Sequence, residues 1–546
     1  MSLSSPGIGS GLDVKKIVDA IVTAAITPAQ SRHDKQIGNV NTELSAVGQL
    51  KSALANMQES LKNMSDISKF YNKKLSLNNS GYLSATATPD AIKGTYQIEV
   101  QSLAQKQSLA TGYFADKAAS IGSSGNMTIT FGTYNSDNTN FTVNPDAKPL
   151  TLNISPTNNS ITAVRDAINN SNADITATII EDAQGVRLSL SSSQTGENYA
   201  MQISGDISAL NYDPTTGVNA LTQTMAAQNS KVLINGLTIN QSTNQLENAI
   251  SGIKINLTKA EPGTIISMTV EDNKDQVTTL INDFVSKYNE SISFLTNLTG
   301  YDTETKQRGI FQGDPQFRSL KLNLTKWATT PLNSQNKSLQ SLADLGIKTN
   351  KQGLLEINQE KFNKVLSANY NEIGTLFAKT ATTTDANIRV NSFDSKAPAG
   401  TYAINLTEYT PGVSMEGTIG SSAASSTDGL TLRGSDKLST LSIDVLSGSA
   451  GSRGNIIIND GIAVLMSQLI DTYMDKKGDL NQRNDQLNKQ VTKLAKVQEQ
   501  IDIRKDHVEQ RYLKQFNALD VLMSNMQSIS DTVTQLMKTL PSLKIK

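Results

Sequence analysis

Hydrophobic positions recur with two different periods along this chain, and the change of period divides it. From Leu487 the register Leu487, Leu494, Ile501, Val508, Gln515, Leu522, Ile529, Leu536 repeats every seven residues, interleaved with Val491, Gln498, Lys505, Tyr512, Leu519, Met526, Val533 and Leu540. That spacing predicts a coiled-coil seam. Near the other end Ile37, Val40, Leu44, Val47, Lys51, Leu54, Gln58 and Leu61 follow the same three-four spacing. Upstream, Val14, Ile17, Val18, Ile21 and Val22 mark one face of a further helix. Pro28 is expected to end or kink that helix, because it lacks an amide donor and crowds the preceding turn. A second helix is then expected over about 30 to 66, weakened by Gly38 and Gly48 and therefore dependent on partners.

Between the ends the period falls to two. Tyr96, Ile98 and Val100 alternate with polar residues after Gly94, and Met127, Ile129 and Phe131 do so after Gly125. Both read as half-buried strands. Leu150 to Ile154, Ile175 to Ile180, Val186 to Leu190, Val232 to Ile239 and Ile253 to Leu257 extend the pattern, with a short helix carrying Ile161, Val164, Ala167 and Ile168 among them. Pro262-Gly263 marks a turn. Helical spacing returns near 276 with Leu280, Phe284, Tyr288, Ile292 and Leu295. Asp314-Pro315 reads as a cap and first-turn proline ahead of Phe317, Leu320, Leu324 and Trp327, and Asn358 as the cap of a helix bearing Phe362, Val365 and Leu366. One internal echo stands out, Gly94-Thr95-Tyr96-Gln97-Ile98-Glu99-Val100 against Gly400-Thr401-Tyr402-Ala403-Ile404-Asn405-Leu406.

These signals predict an α+β multidomain chain in which terminal coiled-coil helices and a helical bundle bracket β-rich inserted domains. The expected division is a flexible or helical leg over 1–40, the first part of a helical domain over 41–75, and a β-rich region of two domains over 76–275, with a nested insert near 110–230. The second part of the helical domain follows over 276–379, a further β-rich insertion over 380–455, and C-terminal helices over 456–546. Residues 1 to about 10 are rich in Ser and Gly and are expected to be disordered on their own.

Composition narrows the function classes. Lys plus Arg number 49 against 50 Asp plus Glu, a net charge of −1. A nucleic-acid binder needs a basic excess to neutralise phosphates, so that class is disfavoured. The chain has no cysteine and two histidines, which removes disulfides, thiol catalysis and cysteine-ligated metals. No apolar run approaches the roughly 18 residues of a spanning helix, so no membrane insertion is expected. The first cation is Lys15 and the run Ile17 to Ile26 contains Asp19, so the N-terminus does not read as a secretory signal.

Candidate chemistry is sparse. The sequence contains no Walker A motif, HExxH, Gly-x-Ser-x-Gly elbow or helix-entering GxGxxG. His33 and His507 would have to pair across a bundle to bind a metal; solvated surface histidines are the simpler reading. Asp275, Asp283 and Asp302 have no spacing that shows convergence, and helix solubility accounts for them. The expectation is no catalytic, cofactor or metal site. The candidate residues are those of the terminal seams. The C-terminal seam would run for roughly 80 Å at 1.5 Å per residue. That length favours a partner chain over packing within the chain alone, and Gln498, Lys505 and Gln515 would set register.

The opening Ser10-Gly11-Leu12-Asp13-Val14 with Ile17-Val18, then Ser45 and Leu50-Lys51-Ser52, resembles the start of the flagellar hook-associated protein 2 family of bacterial filament caps. Further blocks follow in the family's order, among them Leu103-Ala104-Gln105, Ile234-Asn235-Gly236, Phe284-Val285, Gly313-Asp314, Leu345-Gly346-Ile347 and Arg511-Tyr512 with Gln515-Phe516. The stretch Leu150 to Gly196 looks like a module inserted in flagellins, and the 380–454 insertion is longer than many members of the family need, which implies an additional outward domain. The resemblance implies a homo-oligomeric ring at the extracellular filament tip that retains exported flagellin and promotes its folding and polymerisation. It also implies export through the flagellar type III channel, and as partners flagellin, hook–filament junction proteins and a cytoplasmic export chaperone. Alternatives are a hook–filament junction protein, a minor filament component, or a tip-exposed adhesin.

Overall fold

The computed structural model describes residues 13–302, 306–332 and 339–539. The expectations for residues 1 to 10, for Ser10-Gly11-Leu12 and for Leu540 lie outside them. Two compact units are present: residues 70–276 form one, and residues 1–69 together with 277–546 form the other. The α+β class expected from the two periods is what the structure shows.

Eight helices are described: α1 (Val14–Ser65), α2 (Ile161–Asn169), α3 (Lys274–Thr299), α4 (Pro315–Thr329), α5 (Gln359–Ala368), α6 (Tyr370–Phe377), α7 (Ile462–Met474) and α8 (Asp479–Thr539). Asp13 starts α1, its carboxylate accepting the Lys16 amide at 3.1 Å, which satisfies one of the orphan donors of the first turn. Pro28 lies inside α1 and does not end it, so the expected break there, and the division at residue 40, both fall within one helix. The reason is positional. Pro28 is on the exposed side while Ile26, Ala29 and His33 are covered on the other, so packing holds the helix past the one lost hydrogen bond.

In the larger unit α3, α4, α5 and α6 contribute Phe284, Tyr288, Phe317, Phe362 and Phe377, all fully buried. Phe284 meets Phe377 edge-on at 6.1 Å, and the Tyr288 hydroxyl donates to the Gly353 carbonyl at 3.2 Å. Asp314 and Asn358 cap α4 and α5 through the amides of Gln316 and Lys361, at 2.9 Å each. Trp327, expected on the buried face of α4, is only half-buried, and the smaller Ala328 fills that place.

Residues 380–459 form an eight-stranded antiparallel sheet whose end strands, Thr380–Thr383 and Ile388–Ser392, are joined by a tight connection. The Thr383 hydroxyl bonds the Ile388 carbonyl at 2.6 Å across it. Inside lie Ile404, Leu406, Met415, Ile419, Leu432, Ile443, Ile456 and Ile458. The alternating pattern therefore fills one enclosed core. Lys379 and Asp460, the residues just outside the first and last strands, form a nearly buried ion pair at 3.1 Å.

The smaller unit holds two apolar clusters nested in sequence. One joins Leu83, Ile98 and Val100 to Val232, Ile255, Ile266 and Met268. The other is built within residues 109–221, from Leu109, Met127, Ile129, Phe131, Val164, Leu188 and Ile203 among others. The sequence echo has a structural counterpart. Gly94–Ser102 and Gly400–Thr410 are both interior strands of their sheets. In each, the tyrosine hydroxyl donates to the carbonyl four residues upstream, Tyr96 to Ile92 at 3.1 Å and Tyr402 to Pro398 at 2.9 Å.

Candidate functional site

The terminal helices meet side by side. Gln30 faces Gln498, His33 faces Leu494, Glu43 faces Arg483 and Lys51 faces Asn481. As one residue number rises the other falls, so α1 and α8 run antiparallel. Their shared stripe includes Ile37, Val40, Leu44 and Val47 on α1, all buried or half-buried, against Leu487 and Ile501, buried, and Val491 and Leu494, half-buried, on α8. Leu54 and Leu61, farther along α1, are fully buried.

Midway, the seam contains a polar layer. The Gln30 and Gln498 amides bond each other reciprocally at 2.8 and 3.1 Å, and each also donates within its own helix, to Asp34 at 2.7 Å and Asp502 at 2.9 Å. His33, 8% exposed, places Nε2 3.1 Å from the Leu494 carbonyl and Nδ1 3.3 Å from Asp34. The Gln30 amide, and after it His33, hold the Asp34 carboxyl below its ordinary range. His33 is thus a seam residue and not a solvated surface one; His507 is exposed. The sequence signal for His33 was its place seven residues after Ile26 and seven before Val40.

Towards the free end the seam leaves the heptad. On α1 the covered positions are Val14, Val18, Val22 and Ile26, spaced by fours, and on α8 they are Ile501, Val508, Tyr512, Leu513 and Phe516. Spacing by fours drifts round the helix in the opposite sense to a heptad. Consequently Lys505 and Gln515, expected inside the seam, are exposed, and Leu513 and Phe516, which the heptad did not include, are covered. Beyond Phe516 no described residue of α1 stands opposite. Leu519, Leu522, Met526, Ile529, Val533 and Leu536 are 44 to 65% exposed, a regular apolar stripe on the final turns of α8.

The remaining candidates do not converge. Asp275 pairs with Lys74 at 2.6 Å, Asp283 lies on the exposed face of α3, and Asp302 follows that helix. Among the described residues no group of three or more His, Asp or Glu is placed to hold a metal ion, and no described helix is long and apolar enough to cross a membrane.

Similarity to known proteins runs through both terminal helices and the β-rich domains between them. Residues 10–107 match the sequence model of the flagellar hook-associated protein 2 N-terminus, and residues 227–528 that of its C-terminus. The chain belongs to the flagellar hook-associated protein 2 family. It is 29% identical to flagellar hook-associated protein 2 of Escherichia coli strain K12, over 98% of each chain. It is 30% identical to the A-type flagellar hook-associated protein 2 of Pseudomonas aeruginosa, over 68% of this chain and 79% of that one. Among solved structures it resembles the D1-D2-D3 domains of the flagellar cap protein FliD from Escherichia coli, with a TM-score of 0.55 and 25% identity, covering 81% of this chain and 99% of that one. The Escherichia coli relative aligns almost end to end with this chain, whereas the Pseudomonas aeruginosa relative matches about two thirds of it.

Proposed function

We propose that this chain is a non-enzymatic filament cap at the distal, extracellular tip of the bacterial flagellum, where it retains exported flagellin and promotes its folding and addition to the growing end. In this reading copies of the chain associate through their β-rich domains, and the uncovered end of α8 grips the filament. Flagellin is the moving partner, hook–filament junction proteins are the first seat, and an export chaperone covers the apolar stripe before secretion.

The observation that carries the reading is the division of α8. One half is satisfied by α1, and the other presents a regular apolar stripe, in a chain whose relatives are named for the flagellar hook and cap. An apolar stripe exposed to water is costly unless it is covered in use. It is also short enough, about 26 Å from Leu519 to Leu536 at 1.5 Å per residue, for its contact to be broken and remade as each subunit enters.

A strain lacking the gene tests this. It should release flagellin monomer into the medium and lack filaments, and gold-labelled protein supplied back should mark distal tips only. Normal filaments in that strain, or label along their length, would overturn the proposal.

A further inference from the structure

Residues 214–246 carry a single charged side chain, Lys231, where the chain's average of 18% charged residues would place about six. The same stretch supplies an edge strand to each of three sheets in the 70–276 unit: Val218–Asn219, Thr222–Met225 and Leu237–Gln241. Edge strands expose unpaired backbone donors and acceptors, and soluble proteins ordinarily guard them with charge. Two of the opposite edges follow that rule. Lys73–Leu77 begins with two lysines, and Ile175–Asp182 ends in Glu181 and Asp182.

Leu237–Gln241 is the least guarded of the three. Its five residues are uncharged, it has no bulge against its neighbour Ser230–Ile234, and Leu237 is 72% exposed. The hairpin that creates it turns on Asn235 and Gly236, both with positive φ (51° and 83°), the two-residue turn that matches strand twist. Ile234 stands opposite Leu237, and Val232 opposite Ile239. In such a hairpin the pair flanking the turn is hydrogen-bonded, and bonded and non-bonded pairs alternate. The backbone groups of Thr238 and Asn240 therefore face away from the sheet, available to another strand.

We propose that the Leu237–Gln241 edge pairs, strand to strand, with a second copy of this chain, and that this pairing contributes to the association of copies in the cap. The occupant follows from charge. An uncharged edge excludes partners that would bury an unmatched charge against it, and each copy brings a further uncharged edge, Thr222–Met225, from the same stretch. The inference rests on the reading that the chain assembles with itself, and its test separates the two.

Sedimentation velocity of the full chain over a range of concentrations is the measurement. Wild type should associate beyond the monomer. Thr238→Pro, which removes an outward donor and leaves the bonds to Ser230–Ile234 intact, should weaken association at least tenfold. Thr238→Lys/Asn240→Lys should do the same by guarding the edge, with circular dichroism and thermal unfolding unchanged. Ser76→Lys, on the opposite edge of the same sheet, should associate as wild type. Undiminished association of both edge variants would overturn the edge contact while leaving self-assembly standing. A wild-type chain that stays monomeric throughout would overturn both.

Discussion

The two halves of α8 are drawn from one sequence pattern and live in different surroundings. Leu487 and Ile501 are 0 and 7% exposed against α1, whereas Leu522 and Ile529, in the same heptad phase, are 60 and 63% exposed. The covered half is the less regular. It includes a glutamine pair and a histidine, and its stripe shifts from Lys505 and Gln515 to Leu513 and Phe516. The uncovered half keeps the three-four spacing without interruption. Regular spacing thus marks an apolar helix face, and does not report whether another helix of the same chain covers it.

Stability should separate the halves most sharply. Leu487→Ala removes a fully buried side chain and should cost about 2 to 5 kcal/mol, read as loss of the terminal-helix transition in chemical denaturation. Leu522→Ala should stay within about 0.5 kcal/mol. Equal losses would mean that the distal stripe is also covered in the isolated chain.

The polar layer should give an intermediate effect. Gln30→Ala strands the Gln498 amide in a partly buried place and should cost about 1 to 3 kcal/mol. Replacing both residues by leucine should recover most of that, because neither amide is left and the exposed Asp34 and Asp502 carboxylates turn to water. The double variant should also pair its helices in more than one register, seen as heterogeneous disulfides when single cysteines are placed on α1 and α8.

Smaller effects follow from exposure and charge. Lys505→Leu, at an exposed position, should alter stability by less than about 0.5 kcal/mol. Asp34 is held below its ordinary range by Gln30 and then His33. A carboxylate depressed in the folded state stabilises above its unfolded value of 3.8 and loses that contribution as pH falls through the lower folded value. The terminal-helix transition should therefore weaken slightly below about pH 4, and Asp34→Asn should flatten that dependence.

Much of this was legible from residue order. Asp314 and Asn358 as caps, the period-two strands and both terminal stripes all follow from local rules, because caps and alternation need only neighbours in sequence. What was not legible depended on contacts between distant parts. Pro28 sits within an unbroken helix because α8 holds its other side. His33 and Gln30 become seam residues only when α8 is present to receive them, and the exit of Lys505 from the seam depends on the four-residue spacing of a helix some 480 positions away in sequence. The echo at Tyr96 and Tyr402 was visible as letters, but the shared hydroxyl-to-carbonyl bond that gives it a physical basis required the fold.

The claim that joins these parts is that the uncovered half of α8 grips the filament while the covered half only holds the leg together. Leu522→Glu/Met526→Glu/Ile529→Glu places charge on the exposed stripe without touching residues covered by α1. Introduced into a strain lacking the native gene, with export of the variant confirmed in the medium, it should leave flagellin monomeric outside the cell and filaments absent. Filaments of normal number and length in that strain would contradict the account.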